Sequence, residues 1–235
     1  MKRSTAAELF MELLKWAGWL IGIVLTIRIL QHLLYFFFSV SEMEMTGFAE
    51  FAHQFTKIFM LVTGLLIVYR FLEYFVSNGL TRRVFLTSSI QASAAAAVLF
   101  AVITFLLLGI ENFLLPEAAK EGNFLSAYPF NEETNLITSF MIYILSSWVY
   151  FALGMFISSG YYRYGWLYGL GFTAAGIVIL ILESFLWETE TFLLGFTFPP
   201  QALPFLFSFL ASMLLVMSLF FFAFVVLKDV RIKME

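Results

Sequence analysis

A short basic turn, Ser77-Asn78-Gly79-Leu80-Thr81-Arg82-Arg83-Val84-Phe85, separates two long apolar runs and decides how the chain is organised. The runs on either side, residues 55–77 and 85–110, each reach the length of about 20 apolar residues that a helix needs to cross a membrane. Lys and Arg accumulate on the cytoplasmic side of membrane proteins. The two arginines therefore predict that this joint faces the cytoplasm.

The composition excludes an ordinary soluble domain. Hydrophobic residues make up 62% of the 235 residues, aromatic residues 20% and charged residues only 12%, against about 25% charged residues in a typical soluble domain. The basic residues are few and scattered, so we expect no nucleic-acid partner. Cysteine is absent, which excludes disulfides, thiolate metal sites and cysteine nucleophiles.

Six apolar segments are long enough to span a lipid bilayer. Continuous apolar runs favour helices over strands, and only helices or closed barrels satisfy backbone groups in lipid. The sequence therefore predicts an all-α, multi-pass membrane protein that forms one transmembrane domain over residues 1–235. The predicted spans are residues 18–40, 55–77, 85–110, 136–158, 165–187 and 204–227.

The joints between the spans alternate in charge. The basic set is short and includes Arg82, Arg83 and Arg163, with Lys and Arg also at both termini. The other set is longer and acidic, with its largest group of glutamates between residues 111 and 133. The bias in Lys and Arg predicts a cell-membrane protein with both termini in the cytoplasm.

Residues 4–16 have the pattern of an amphipathic helix. Leu9 and Leu13 share one face with neighbouring apolar residues, while Glu8, Glu12 and Lys15 lie away from it. Such a helix lies in the membrane interface. The alternative is that this segment simply extends the first span.

The last acidic-side loop, from Glu188 to Pro204, is unusually apolar for a loop in water. It contains several phenylalanines and leucines and the pair Pro199-Pro200. We expect this loop to dip partly back into the membrane as short half-helices sheltered by protein.

The motifs of intramembrane enzymes are missing. The chain has no His-Glu-x-x-His zinc motif and no Walker A motif, and its only adjacent acidic pair, Glu132-Glu133, lies in a loop. We therefore expect neither catalytic residues nor a metal or cofactor held by this chain.

A few polar residues within the spans are candidates for function. Arg28, Gln31 and His32 lie in the first span, and Arg28 and His32 are one helical turn apart. A charge near mid-membrane costs about 2.5–3.5 kcal/mol on the insertion scale, so Arg28 should face protein or water, along a substrate path or at a helix contact. The alternative is a snorkelling arginine that reaches the cytoplasmic interface.

Two further glutamates belong with these residues. Glu73 is the nearest acidic candidate for Arg28 on another helix, although Glu73 can also pair with Arg70 three residues away. Glu183, near the other end of the fifth span, is expected to be solvated at the interface.

The residues Asn78-Gly79-Leu80-Thr81-Arg82-Arg83-Val84-Phe85 resemble the Asn-Gly-x-x-Arg-x-x-Phe pattern between the second and third spans of small ABC-2-type permeases, especially from Gram-positive bacteria. The resemblance covers the whole chain in topology and about ten residues in motif. In that family this loop belongs to the coupling region that docks into the ATP-hydrolysing subunit. We expect no nucleotide-binding domain fused to this chain, so that the resemblance would supply it as a separate chain.

The resemblance implies a non-catalytic permease subunit of an exporter. It implies a separate ABC ATPase subunit that binds ATP and Mg, a second identical or related permease subunit, and amphipathic or hydrophobic cargo such as a peptide, an antibiotic or a lipid-like molecule. The residues that it places in the coupling contact are Asn78, Gly79, Thr81, Arg82, Arg83 and Phe85.

The local chemistry of the turn agrees with this interpretation. Asn-Gly favours a sharp turn, and Thr81 can cap the helix that follows. Arg82 and Arg83 place charge where an acidic cleft on a partner could accept it, although they could also act only as topology anchors. Two other functions stay open: a carrier driven by an ion gradient, and a membrane accessory or immunity protein that does not transport.

Overall fold

The computed structural model describes residues 5–38, 45–114, 124–125, 134–187, 191–193, 196–198, 203–228 and 230. Six helices in these ranges are long and apolar enough to cross a membrane, so the predicted all-α fold with six spans is confirmed. Each predicted span falls on one of them. The helices are α1 (Thr5–Phe38), α2 (Phe48–Ser77), α3 (Arg82–Leu114), α4 (Leu136–Tyr164), α5 (Trp166–Leu186) and α6 (Phe205–Leu227).

Very short strands occur in the connections between helices. Strand β1 (Met45–Thr46) pairs in parallel with β2 (Phe124–Leu125). Strand β3 (Thr191–Leu193) pairs antiparallel with β4 (Phe196–Phe198), so the described part of the last loop forms strands and not the expected half-helices. Threonine and phenylalanine favour strands.

The two ends of the helix bundle differ in charge. The end that holds Ser77, Arg82, Tyr164 and Leu227 is called the basic end, and the opposite end, near Glu111, is called the acidic end. The α2–α3 connection at the basic end spans residues 78–81, and a single residue, Gly165, joins α4 to α5. Gly79 and Gly165 both have φ +80°, a conformation that side chains other than glycine rarely adopt.

Helix α4 is the centre of the bundle. Of its most apolar stretch, 61% is buried inside the protein, against 17% for α5 and 22% for α1, so α5 and α1 are peripheral. The most extensive helix contact is between α2 and α4. At this contact Gly64 and Gly154 face each other's backbone so closely that a Cβ on Gly154 would lie 2.2 Å from the Leu61 carbonyl oxygen.

Helix α1 differs from its prediction at the amino-terminal side. It continues without a break from Thr5 to Phe38, so residues 5–16 extend the first span and the expected separate interfacial helix is not formed. No glycine or proline occurs before Gly18 to interrupt it, and Leu9, Leu13 and Ala17 are buried on one face against the bundle. The helix is about 51 Å long, well beyond the ~30 Å of a hydrocarbon core.

Candidate functional site

The basic turn has the local structure that its sequence predicts. The Asn78 side-chain amide donates to the Tyr74 carbonyl oxygen at 2.6 Å, and Gly79 reverses the chain direction at φ +80°. The Val84 backbone N–H donates to Thr81 Oγ1 at 3.3 Å, so the predicted cap on α3 is confirmed. The turn is therefore fixed by its own hydrogen bonds.

The six predicted coupling residues fall into two groups. Four of them are exposed and form what we call the turn tip: Asn78, Gly79, Thr81 and Arg83. The other two face the protein. Phe85 is 0% exposed and its ring centroid lies 6.2 Å from that of Phe75, which corrects the expectation that Phe85 presents itself to a partner. An aromatic side chain at the second turn of a span is placed in the core by the hydrophobic effect.

Arg82 binds within the chain, at the carboxyl end of α6. Its guanidinium donates from Nη1 to the Lys228 carbonyl oxygen and from Nη2 to the Val230 carbonyl oxygen. The last carbonyls of a helix have no partner within the helix and carry partial negative charge. Arg82 satisfies this need, which differs from its expected role at a partner surface.

Arg163, from the end of α4, binds the same end of α6. Its Nη1 lies 2.7 Å from the Val226 carbonyl oxygen and 3.2 Å from the Val225 carbonyl oxygen. The two arginines come from the two helix joints that the structure describes at the basic end. Both joints are therefore hydrogen-bonded to α6.

Arg28 lies in the half of α1 near the acidic end and forms a buried ion pair there. Its Nε donates to Glu111 Oε1 on α3 at 2.8 Å, and His32 Nε2 lies 2.8 Å from the same oxygen. Arg28 Nη1 also lies 3.3 Å from Gln31 Oε1. The structure therefore brings the three predicted polar residues of α1 together around a glutamate that was expected in a loop.

The surroundings of Arg28 are apolar and aromatic. The residue is 4% exposed, and its guanidinium carbon lies 5.8 Å from the ring centre of Phe48 and 5.9 Å from that of Phe51. Cation–π contacts of this kind strengthen when water is excluded. Arg28 therefore does not snorkel, and this ionic group fastens α1 to α3 and to the start of α2.

Glu73 is not the partner of Arg28. It is exposed and lies at the basic end of α2, whereas Arg28 and Glu111 lie toward the acidic end. Among the described residues Arg70 forms no ion pair with Glu73, and its guanidinium carbon lies 5.7 Å from the ring centre of Trp16. The sequence offered Glu73 as the nearest acidic candidate on another helix, but the depth of each residue in the bundle excludes it as the partner of Arg28.

A buried polar network joins α2, α3 and α4, and sequence reasoning missed it. The Tyr143 hydroxyl oxygen lies 2.7 Å from Thr56 Oγ1 and 2.9 Å from Thr104 Oγ1. His53 Nε2 lies 2.6 Å from Ser146 Oγ, and its ring is 4.7 Å from that of Tyr143. Such hydrogen bonds between spans are worth about 0.6 kcal/mol each. Their role is to fix the relative positions of three helices.

Glu183 of α5 is buried, which contradicts its expected solvation at the interface. It is 4% exposed. Lys57 of α2 is also partly buried, and its Nζ lies 5.3 Å from the ring centre of Tyr150 on α4. The buried residues of α5 are Gly169, Gly176 and Glu183, spaced seven apart. This two-turn repeat on one helix face was the available signal, since Gly169 and Gly176 both pack against α4.

The described residues form no metal centre: within the described ranges, no three His, Asp or Glu side chains are grouped as ligands. The polar groups are instead arranged in pairs and hydrogen-bonded chains between helices. Chemically, this arrangement can hold the helices in register, while the turn tip exposes the charge of Arg83.

Comparisons of the chain with protein-family models, with curated proteins and with solved structures find no match.

Proposed function

We propose that the chain is the membrane-spanning permease subunit of an ATP-driven exporter of the ABC-2 type. It acts in the cell membrane with both termini in the cytoplasm, next to a second permease subunit. A separate ATPase subunit binds ATP and Mg and docks on the turn tip. The cargo is amphipathic or hydrophobic and passes along the surface shared by the two permease subunits.

The observation that carries this proposal is the build of the basic turn, which has an exposed tip on a fixed base. The turn tip is free for a partner, while Phe85 is in the core and Arg82 is bonded to α6. An element that passes force from an ATPase into a membrane bundle needs both properties. A topology anchor needs only the charge.

The charge of the turn supports an orientation in which the turn tip faces the cytoplasm. Arg83 is exposed at the basic end, where Arg82, Arg163 and Lys228 also lie. The positive-inside rule puts this end in the cytoplasm, which is the compartment that supplies ATP.

Reversal of the exposed charge tests the docking contact. When the chain is co-expressed with a candidate ATPase, Arg83→Glu is expected to weaken recovery of the complex by about tenfold or more, because a like charge would face the acidic cleft of the partner. Co-purification and stimulated ATPase activity are the measurements. Arg82 is left unchanged, since its loss would also disturb α6.

Lys15→Glu is the matched control for this experiment. Lys15 is an exposed basic residue of α1 toward the same end, with a 65% exposed side chain, and its reversal changes the net charge by the same amount. The control is expected to keep the complex. Equal recovery of the ATPase with Arg83→Glu and with the unchanged chain would show that the turn tip is not the docking surface.

One observation favours a second function, a carrier driven by an ion gradient. Such a carrier needs ionisable groups inside the spans, and Lys57 and Glu183 are placed there. The substitution Glu183→Gln keeps the shape and removes the charge. For the exporter we expect unchanged ATP-driven transport, whereas a proton-coupled carrier would lose transport driven by a pH gradient in vesicles without ATPase.

A further inference from the structure

The carboxyl end of α6 is held at the basic end by groups from two separate joints. Arg82 follows the α2–α3 turn, and Arg163 precedes the α4–α5 joint at Gly165. Their guanidinium groups donate to four different carbonyl oxygens, those of Val225, Val226, Lys228 and Val230. The bonds cover both the last turn of α6 and the residues beyond it.

The chain beyond α6 is also fixed by burial. Leu227 is 0% exposed, and Val230, which follows the helix, is 6% exposed. The Val230 backbone N–H donates to the Leu227 carbonyl oxygen. The acceptor carbonyls of Arg82 are therefore held in position from the side of α6 as well.

We propose that Arg82 and Arg163 are positioning residues that clamp α6 to the basic turn, so that a displacement of the turn tip moves α6. This inference rests on the proposed function, because a partner on the turn tip is what would displace it. We call the two side chains the α6 clamp.

Helix α6 has few packing contacts through which a movement of the α2–α3 turn could reach it. Helix α6 packs mainly on α4 and touches α3 and α5 only slightly. Movement of the α2–α3 turn would therefore reach α6 weakly through apolar contacts. Among the described residues, the two hydrogen bonds of Arg82 are the direct polar link from that turn to the chain immediately after α6.

Arginine is the side chain that this geometry requires. Arg82 uses two nitrogens of one planar group to reach two carbonyls at once, which a lysine ammonium on a flexible stem does not reproduce. Arg163 also lies over the Tyr164 ring, 5.1 Å from its centre. Lysine would preserve the positive charge that sets topology, so the two roles can be separated by experiment.

The chain has no cysteine, so the labelling rate of a single introduced cysteine measures the accessibility of that position alone. Val230→Cys puts a thiol of similar size at a buried position next to the clamp, and Ser89→Cys puts one in the core of α3, where the side chain is 0% exposed. The rate of labelling by a maleimide in the purified full chain measures the opening of each position. The Ser89→Cys reporter detects general unfolding.

The labelling rate is expected to differ between variants of the two adjacent residues Arg82 and Arg83. Arg82→Lys and Arg163→Lys should each speed labelling at Val230→Cys by about tenfold, the effect of losing roughly one charge-assisted hydrogen bond. Arg83→Lys, one position along and exposed, should leave the rate unchanged. Labelling at Ser89→Cys should stay constant in all three variants. Equal rates for Arg82→Lys and Arg83→Lys at Val230→Cys, or a matching rise at Ser89→Cys, would overturn the clamp.

A second arm with the ATPase tests transmission. With partner and ATP present, we expect transport to fall in Arg82→Lys while complex formation persists, and both to persist in Lys15→Arg, which changes an exposed basic residue outside the turn tip. Full transport by Arg82→Lys in an intact complex would overturn the transmission of movement to α6. Failure of the ATPase to bind the unchanged chain would overturn the proposed function instead, and the labelling result on the chain alone would still decide the clamp.

Discussion

Replacing Gly154 with alanine is expected to destabilise the helix bundle by about 3 kcal/mol, at the upper end of what overpacking costs. A Cβ at this position would lie 2.2 Å from the Leu61 carbonyl oxygen and 2.9 Å from the Leu65 backbone nitrogen. Both atoms are backbone, so the added methyl group can be accommodated only if α2 and α4 move apart. Thermal unfolding of the detergent-solubilised chain, followed by size-exclusion chromatography, measures the loss.

Gly64 offers the reciprocal test, and two other glycines serve as controls. A Cβ on Gly64 would lie 2.3 Å from the Phe151 carbonyl oxygen, so Gly64→Ala should be as damaging as Gly154→Ala. A Cβ on Gly18 or Gly22 of α1 meets nothing within 4 Å. Alanine there should be neutral or should stabilise the helix by about 0.5–1 kcal/mol. If all four glycine-to-alanine variants unfolded at the same temperature, the close α2–α4 contact would be disproved.

Removal of one member of the Arg28–Glu111 pair is the second change with a large expected effect. Glu111→Ala should cost about 3–5 kcal/mol, because it removes the carboxylate that faces the buried Arg28 guanidinium. The double variant Arg28→Met with Glu111→Leu should recover most of this loss, because neither charge of the pair is then left buried. A double-mutant cycle of Arg28→Met, Glu111→Leu and this double variant, measured by thermal unfolding, gives the coupling free energy.

The exposed pair Lys15–Glu12 is the control for this cycle. Its side chains are 65% and 39% exposed, and Lys15→Ala should therefore cost less than about 1 kcal/mol. A double variant no more stable than Glu111→Ala alone would show that the loss does not come from the buried charge of Arg28.

The spans were predictable because the length of an apolar run can be read directly from the sequence, without knowledge of how the helices pack. The same holds for the turn, where Gly79 and the Thr81 cap follow from local chemistry. The partner of Arg28 was not predictable in this way. It depends on how α1 and α3 are rotated and how deep each residue lies, and Glu111 reaches Arg28 only because α3 continues to Leu114.

The candidate coupling site shows the same division. The exposure of Arg83 agrees with the sequence expectation, whereas the burial of Phe85 does not. Nothing in the local sequence distinguishes Arg82 from Arg83. Arg82 turns inward because the end of α6 lies beside it, 146 residues along the chain. Contacts between residues so far apart require the packed structure.

The single-residue joint at Gly165 has a consequence for biosynthesis. Because no loop separates them, α4 and α5 must enter the lipid almost at the same time. We expect the insertion machinery to release the two helices as one helical hairpin. The face of α5 that carries Glu183 would then already be packed against α4 when the helix enters the lipid. Lys57, made earlier in α2, would already be in the membrane when Glu183 arrives, so the order of synthesis places the basic side chain before the acidic one.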